Sequence, residues 1–122
     1  MEMFSFEKLI AYQKSRQLVP IIYELLEKFP VEEKYALCDQ IRRSVISVPS
    51  NIAEQSGRTS YKEKRHYLEI SFGSLLESYC QLQIAVDLNY IQESELLEVK
   101  PLYFEISRLI SGLSNSLVPS KL

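Results

Sequence analysis

The chain has 122 residues, which is the usual size of one domain, and only three glycines and five prolines, fewer turn residues than a sandwich or barrel normally needs. Its net charge of −2 provides no overall positive field, so nucleic-acid binding would need a local patch. The N-terminus lacks the apolar region of a signal peptide, and no apolar run approaches the ~18 residues of a membrane span. We therefore expect a cytoplasmic protein with no membrane contact.

The first half of the chain predicts two helices. The first begins at Ser5, a good capping residue, and ends at Phe29-Pro30, because the residue before a proline avoids the helical conformation. The second extends from near Glu32 to Gly57, which we expect to be a left-handed residue at the helix end. Both carry apolar residues at spacings of three and four: Leu18, Ile22, Leu25 and Phe29, then Cys38, Ile41, Val45, Val48 and Ile52.

The second half predicts two more helices. Ser60 and Glu63 have the spacing of a capping box, which starts the third helix, and this helix continues to about Leu88. A turn at Asn89-Tyr90 leads into the fourth helix, from about Glu93 to Leu117. The apolar positions repeat the same spacing: Leu68, Phe72, Leu75, Tyr79, Leu82 and Val86, then Val99, Tyr103, Ile106, Ile110, Leu113 and Leu117.

This spacing averages 3.5 residues and keeps one apolar stripe of each helix facing its neighbours. Short loops force successive helices to run antiparallel. The sequence therefore predicts an all-α protein, an antiparallel up-down-up-down four-helix bundle. Residues 1–117 would form a single domain, and residues 118–122 a frayed tail. Pro20, Pro49 and Pro101 fall inside the predicted helices, where we expect kinks.

One polar segment of the second helix, residues 40–57, is unusual for a core helix. Ser47, Asn51 and Glu54 form a stripe that borders the apolar one. Pro49 has no N–H, so the carbonyl of Val45 loses its helical donor. Asn51 or a serine hydroxyl could satisfy the freed groups.

The third helix contains a glycine that needs a reason. Gly73 lies mid-helix, where glycine costs about 1 kcal/mol relative to alanine. Close approach of the second helix would explain it. We further expect Arg42 or Arg43 to pair with Glu77, since a buried bidentate pair would fix the register of the two helices.

Charge is unevenly distributed along the chain. Residues 40–66 contain six basic and two acidic side chains, whereas residues 67–122 contain three basic and seven acidic ones. A candidate nucleic-acid patch lies around the second loop, where an aromatic residue, Tyr61, is interspersed. Its residues are Arg58, Lys62, Lys64 and Arg65. The alternative is an ordinary solvated loop and helix start.

The sequence offers little for catalysis or metal binding. Cys38 and Cys80 are not paired in a metal-binding motif, and each is expected to fill a small apolar slot. Glu63 and His66 have the E-x-x-H spacing of di-iron bundles, but those sites need a second such motif and His66 is the sole histidine. With no evident base for a serine nucleophile, we expect no enzyme activity, no metal and no cofactor.

Several segments together resemble a four-helix bundle family named after proteins encoded in intervening sequences of bacterial large-subunit ribosomal RNA genes. The most specific is the string SVPSNIAE at residues 47–54, preceded by Gln40-Ile41-Arg42-Arg43. Gly73-Ser74-Leu75-Leu76-Glu77 also matches. So do three further pieces: Phe6-Glu7-Lys8-Leu9, Phe29-Pro30 and Leu88-Asn89-Tyr90-Ile91. Gln55 departs from the family, which usually has glycine there.

The resemblance implies a homo-oligomer, with a pentameric ring favoured. The similar accessory proteins of diversity-generating retroelements form pentameric barrels that bind nucleic acid and a reverse transcriptase, but they are strongly basic. Our first hypothesis is a non-enzymatic homo-oligomeric bundle that acts as an interaction or scaffold protein for a protein partner that the sequence does not identify. The alternative is an accessory protein that binds RNA or DNA through the basic loop.

Overall fold

The structure, a computed structural model, describes residues 2–117; the predicted tail at residues 118–122 lies outside this range. The described residues form four long helices and no strand. The helices are α1 (Ile10–Leu26), α2 (Leu37–Ser56), α3 (Tyr61–Asp87) and α4 (Glu93–Ser116). Two short 3-10 turns, Ser5–Lys8 and Val31–Glu33, precede α1 and α2. The predicted all-α four-helix architecture is confirmed.

Each helix packs against its neighbours in sequence, and α4 returns to pack against α1. The α2–α3 interface is the most extensive of the four, and the α1–α4 interface is the smallest. None of the described helices is both long enough and apolar enough to cross a membrane.

The core is built from the predicted apolar stripes. Leu18, Ile52, Leu75 and Ile110 are all essentially inaccessible to solvent, and they come one from each helix. Fully burying a side chain of this size contributes roughly 1.5–3 kcal/mol. The bundle therefore gains most of its stability from these stripes, as helices of this kind generally do.

Two helix starts differ from the sequence-based expectation. Ser5 does not cap α1; it lies in the first 3-10 turn, and α1 begins only at Ile10. At the start of this 3-10 turn, the Phe4 N–H donates to the Glu7 carboxylate at 3.0 Å. The second helix begins at Leu37 rather than near Glu32, because Pro30 is followed by the separate 3-10 turn.

The loop between α2 and α3 corrects one prediction and supports another. Gly57 has a φ of −86°, so it is not left-handed as expected. The terminal carbonyls of α2 instead receive the Lys64 ammonium, which lies 3.2 Å from the Gln55 oxygen. Ser60 does cap α3, since its Oγ accepts the Glu63 N–H at 3.1 Å. The left-handed residue is Asn89, with a φ of 62°, at the turn before α4.

Candidate functional site

The predicted polar segment lies at the α2–α3 interface, where its side chains form hydrogen bonds with other residues of the same chain. The Asn51 amide donates to both the carbonyl and the hydroxyl of Ser47, each at 2.8 Å. Across the interface, the Ser74 hydroxyl donates to the Ser47 hydroxyl at 2.8 Å. Glu54, the third member of the predicted stripe, is exposed and does not join this network.

Buried serines that the sequence analysis missed extend this polar interface. The Ser71 hydroxyl donates to the Val48 carbonyl at 2.8 Å, and the Ser44 hydroxyl donates to the Gln81 oxygen at 2.9 Å. Both serines are at least 97% buried. A signal was present in α3, where large and small side chains alternate at spacings of three and four. The series is Leu68, Ser71, Leu75, Ser78, Leu82 and Ala85.

One further buried hydroxyl joins α3 to α4. The hydroxyls of Ser78 and Tyr103 lie 2.8 Å apart. Burial raises the pKa of Tyr103, so this phenol stays neutral throughout the physiological range. A neutral phenol beside a serine cannot act as a general base at physiological pH.

Every buried side-chain nitrogen or oxygen in residues 2–117 has a hydrogen-bond partner. A polar network whose members are all satisfied fixes the register of the helices that it joins. The α2–α3 interface therefore explains the SVPSNIAE string as a structural device. Its side-chain hydrogen bonds are internal, and none of its buried side-chain nitrogen or oxygen atoms is left without a partner.

Two residues of this string need separate comment. Pro49 is buried inside α2, which continues past it without a break. Asn51 or a serine was expected to donate a hydrogen bond to the Val45 carbonyl, but these side chains donate to other oxygens. Asn51 reaches the Ser47 carbonyl and Ser71 reaches the Val48 carbonyl, so both donors act within one turn of Pro49 but on different oxygens.

The predicted pairing of Arg42 or Arg43 with Glu77 is wrong. Arg43 pairs with Asp39 at 2.9 Å, and Arg42 donates to the Lys34 carbonyl at 2.6 Å. Asp39 is one turn away on the same helix, so both arginines find it locally. Glu77 is exposed on the outer surface of α3.

The explanation offered for Gly73 is also wrong. Gly73 is exposed, and a Cβ placed on it would meet nothing within 4 Å. The second helix approaches α3 through Ser71 and Ser74, which lie on either side of Gly73 in the sequence. Packing among residues 2–117 therefore does not account for this glycine.

The four basic residues of the second loop divide into two pairs. Arg58 forms an ion pair with Glu54, which raises the pKa of Arg58, and its guanidinium lies 4.6 Å from the centre of the Tyr67 ring. Lys64 binds the end of α2. The other two, Lys62 and Arg65, are exposed and half-buried respectively. Two of the four basic side chains, those of Arg58 and Lys64, are thus engaged in contacts within the chain.

Within the described residues, no group of three or more histidine, cysteine or acidic side chains could hold a metal ion. Cys38 is buried as expected, and burial raises the pKa of its thiol. Cys80 is exposed, so the expectation that it fills an apolar slot is wrong. It lies on the outer surface of α3, away from the apolar stripe of that helix.

An apolar groove lies between α3 and α4, and we call it the α3–α4 groove. It encloses about 100 Å³. Its lining residues include Leu76, Tyr79, Lys100, Tyr103, Phe104 and Ser107. Leu76 and Phe104 stand at its edges with about half of each side chain exposed. The next turns of the same helices continue it past Gly73 and Ser111.

Comparison with known protein families identifies a match. A family described as 23S rRNA-intervening sequence protein matches residues 7–112, which is most of the chain. A search of curated proteins gave no match.

Proposed function

This chain belongs to the 23S rRNA-intervening sequence protein family, and from that premise we propose that it is a non-enzymatic helical bundle that assembles with itself and acts as a cytoplasmic interaction or scaffold protein. We favour a ring of five copies, on the family resemblance. The observation that carries the proposal is the apolar surface along α3 and α4. Leu76, Leu97 and Phe104 are each more than half exposed there.

Such a surface costs free energy when it faces water. Monomeric proteins rarely expose contiguous apolar patches larger than roughly a few hundred Å², and patches above that size usually mark interaction sites. The buried side-chain nitrogen and oxygen atoms of residues 2–117, by contrast, all have hydrogen-bond partners within the chain. The protein therefore has no unsatisfied polar side chain in its described interior and has exposed apolar side chains along α3 and α4. This combination favours a binding role over a catalytic one.

Mass in solution tests this proposal. Light scattering coupled to size-exclusion chromatography should report a multiple of the 14.2 kDa of one chain, five-fold for the favoured ring. A mass of 14.2 kDa at every concentration up to the solubility limit would refute self-assembly.

A second candidate is nucleic-acid binding through the second loop. The observation that favours it is that Lys62 and Arg65 lie one turn apart at the start of α3, outside the contacts that occupy Arg58 and Lys64. A ring would present several copies of this pair, and avidity would strengthen modest sites. Binding to phosphates would weaken steeply with salt.

The structure shows how to test the second candidate. Reversing Arg58 would break its ion pair with Glu54, so the better variant is Lys62→Glu with Arg65→Glu. Fluorescence anisotropy with single-stranded RNA at about 50 mM salt should show binding by the wild type and at least a tenfold loss in the variant. Absence of binding by the wild type at this salt would remove the candidate.

A further inference from the structure

A second apolar feature lies beside the α3–α4 groove, on the outer surface of α3. Ile70, Glu77 and Ile84 are seven residues apart, so they lie on one face of the helix. Each is exposed: Ile70 by 38% and Ile84 by 42%, with Glu77 between them. We call these three residues the α3 ridge. It carries one negative charge between two aliphatic side chains.

The ridge carboxylate has no ionic partner in the structure. Among the described residues, no basic side chain lies within 4 Å of the Glu77 carboxylate. From Tyr67 to Val99 the sequence contains no lysine or arginine at all. Residues close to Glu77 along α3 therefore cannot neutralise it, and a cation would have to come from outside α3.

The groove offers the opposite charge. Lys100 and Arg108 lie on either side of Phe104 along α4, with their charged groups 5.8 and 5.9 Å from the centre of its ring. Phe104 is itself half exposed at the groove edge. The α4 side of the groove thus presents an aromatic surface with a positive charge at each end.

We propose that the α3–α4 groove of one copy receives the α3 ridge of another copy, with Glu77 placed between Lys100 and Arg108 of its neighbour. This inference rests on the proposed self-assembly. The charges and apolar surfaces of ridge and groove are complementary, and both belong to the same chain. The ridge and the groove are different surfaces, so in a ring each copy would use its ridge toward one neighbour and its groove toward the other, which is a head-to-tail contact.

Gly73 supports the same geometry. It lies between the ridge and the groove, it is exposed, and nothing among residues 2–117 occupies the space above it. Glycine is used where another backbone approaches closely, because it has no Cβ. A neighbouring α3 seated in the groove would supply that backbone.

Charge reversal and its rescue test the inference. Glu77→Lys should raise the dissociation constant of the assembly about tenfold or more, and so should Lys100→Glu combined with Arg108→Glu, because each change sets like charges against one another. The chain with all three changes should assemble again, since its ridge and groove are complementary once more. Glu98→Lys, on an exposed position of α4, is the matched control and should assemble normally.

Light scattering supplies the mass and circular dichroism the fold of each variant. Assembly by the wild type, its loss in both single-surface variants and its return in the combined variant would support the proposed contact. A wild type that assembles while no variant changes its mass would overturn the contact but leave self-assembly standing. Failure of the combined variant to reassemble, although its helix content is normal, would also overturn the contact. A monomeric wild type would instead refute the proposed function itself.

Discussion

Ser71 joins α3 to α2 with a single hydroxyl. It is fully buried and donates to the Val48 carbonyl, one residue before Pro49. A side chain this small also lets the two helix backbones approach more closely than a leucine would. Position 71 thus combines a hydrogen bond with a limit on volume, and the two effects can be separated by substitution.

Ser71→Ala should lower the free energy of unfolding by about 1 kcal/mol, because it removes one buried hydrogen bond. Ser71→Leu should cost more, about 1–3 kcal/mol beyond that, because the added volume pushes the helices apart. Urea denaturation measures both. Ser116→Ala is the control, since the Ser116 hydroxyl bonds only to its own helix at the Leu113 carbonyl. Equal effects at positions 71 and 116 would argue against a special role for Ser71.

Glu95 joins the start of α4 to the end of α1. The Gln92 backbone N–H and then the Lys28 ammonium lower the pKa of this carboxyl. A carboxyl with a depressed pKa in the folded state stabilises the protein above its unfolded pKa of about 4.3. That stabilisation is lost as the pH falls through the lower, folded-state pKa.

Glu95→Ala should therefore lower the melting temperature at neutral pH, and the difference from wild type should shrink as the pH falls through the folded-state pKa of Glu95. Thermal unfolding followed by circular dichroism at a series of pH values measures this. Glu98→Ala, on the same helix and exposed, should show a smaller difference at neutral pH. A Glu95→Ala deficit that persists unchanged in acid would contradict the electrostatic explanation.

At the scale of the helix, α3 carries different roles on its different faces. Ser71 and Ser74 bind α2, Tyr79 packs on Tyr103 of α4 with ring centres 5.1 Å apart, and Gly73 faces outward. A mid-helix glycine in open space weakens an isolated bundle without any compensating contact. Its cost can therefore be measured where assembly is prevented.

In the Glu77→Lys background, Gly73→Ala should raise the free energy of unfolding by up to about 1 kcal/mol, the helix propensity difference between the two residues. Nothing obstructs the new Cβ. Gly112→Ala also adds a Cβ in open space, but nearer a helix end, so its gain should be smaller. Urea denaturation measures both variants. A destabilising Gly73→Ala would show that packing within the chain occupies the space beside this residue.

The same helix shows what could be predicted from the sequence. Leu68, Leu75 and Leu82 are buried as their spacing predicted, because large apolar residues have few other places to go. Ser71 and Ser78 were missed because serine is usually exposed, and only their alternation with leucine marked them. Gly73 was misplaced because its cost indicates a reason without indicating which face of the helix supplies it.

Local contacts account for the other errors. Arg42 and Arg43 were expected to reach Glu77, but Asp39 lies one turn away on their own helix and needs no particular tertiary arrangement. Similarly, Lys64 satisfies the end of α2, a task that the sequence analysis had given to a left-handed Gly57. The candidate nucleic-acid patch is reduced from four basic residues to two for the same reason, because Arg58 and Lys64 have partners nearby in the chain.

At the scale of the whole molecule, the polar network is buried between helices, whereas the apolar and charged surface proposed for assembly is exposed to solvent. The α2–α3 interface holds the most extensive contact and a satisfied polar network. The α3 ridge and the α3–α4 groove leave aliphatic, aromatic and charged groups exposed side by side. This division explains why a family signature concentrated in α2 indicates the fold, whereas the surface that we propose for assembly lies on α3 and α4.

Cys80 reports directly on whether that surface is covered. It is exposed on α3 between ridge and groove, while Cys38 is buried and serves as an internal reference. The rate at which a maleimide alkylates Cys80, measured by mass spectrometry of the native protein, should be at least about tenfold slower in the wild type than in Glu77→Lys if a neighbouring copy covers the thiol. Equal rates in the two proteins, with Cys38 unreactive in both, would contradict self-assembly through this face.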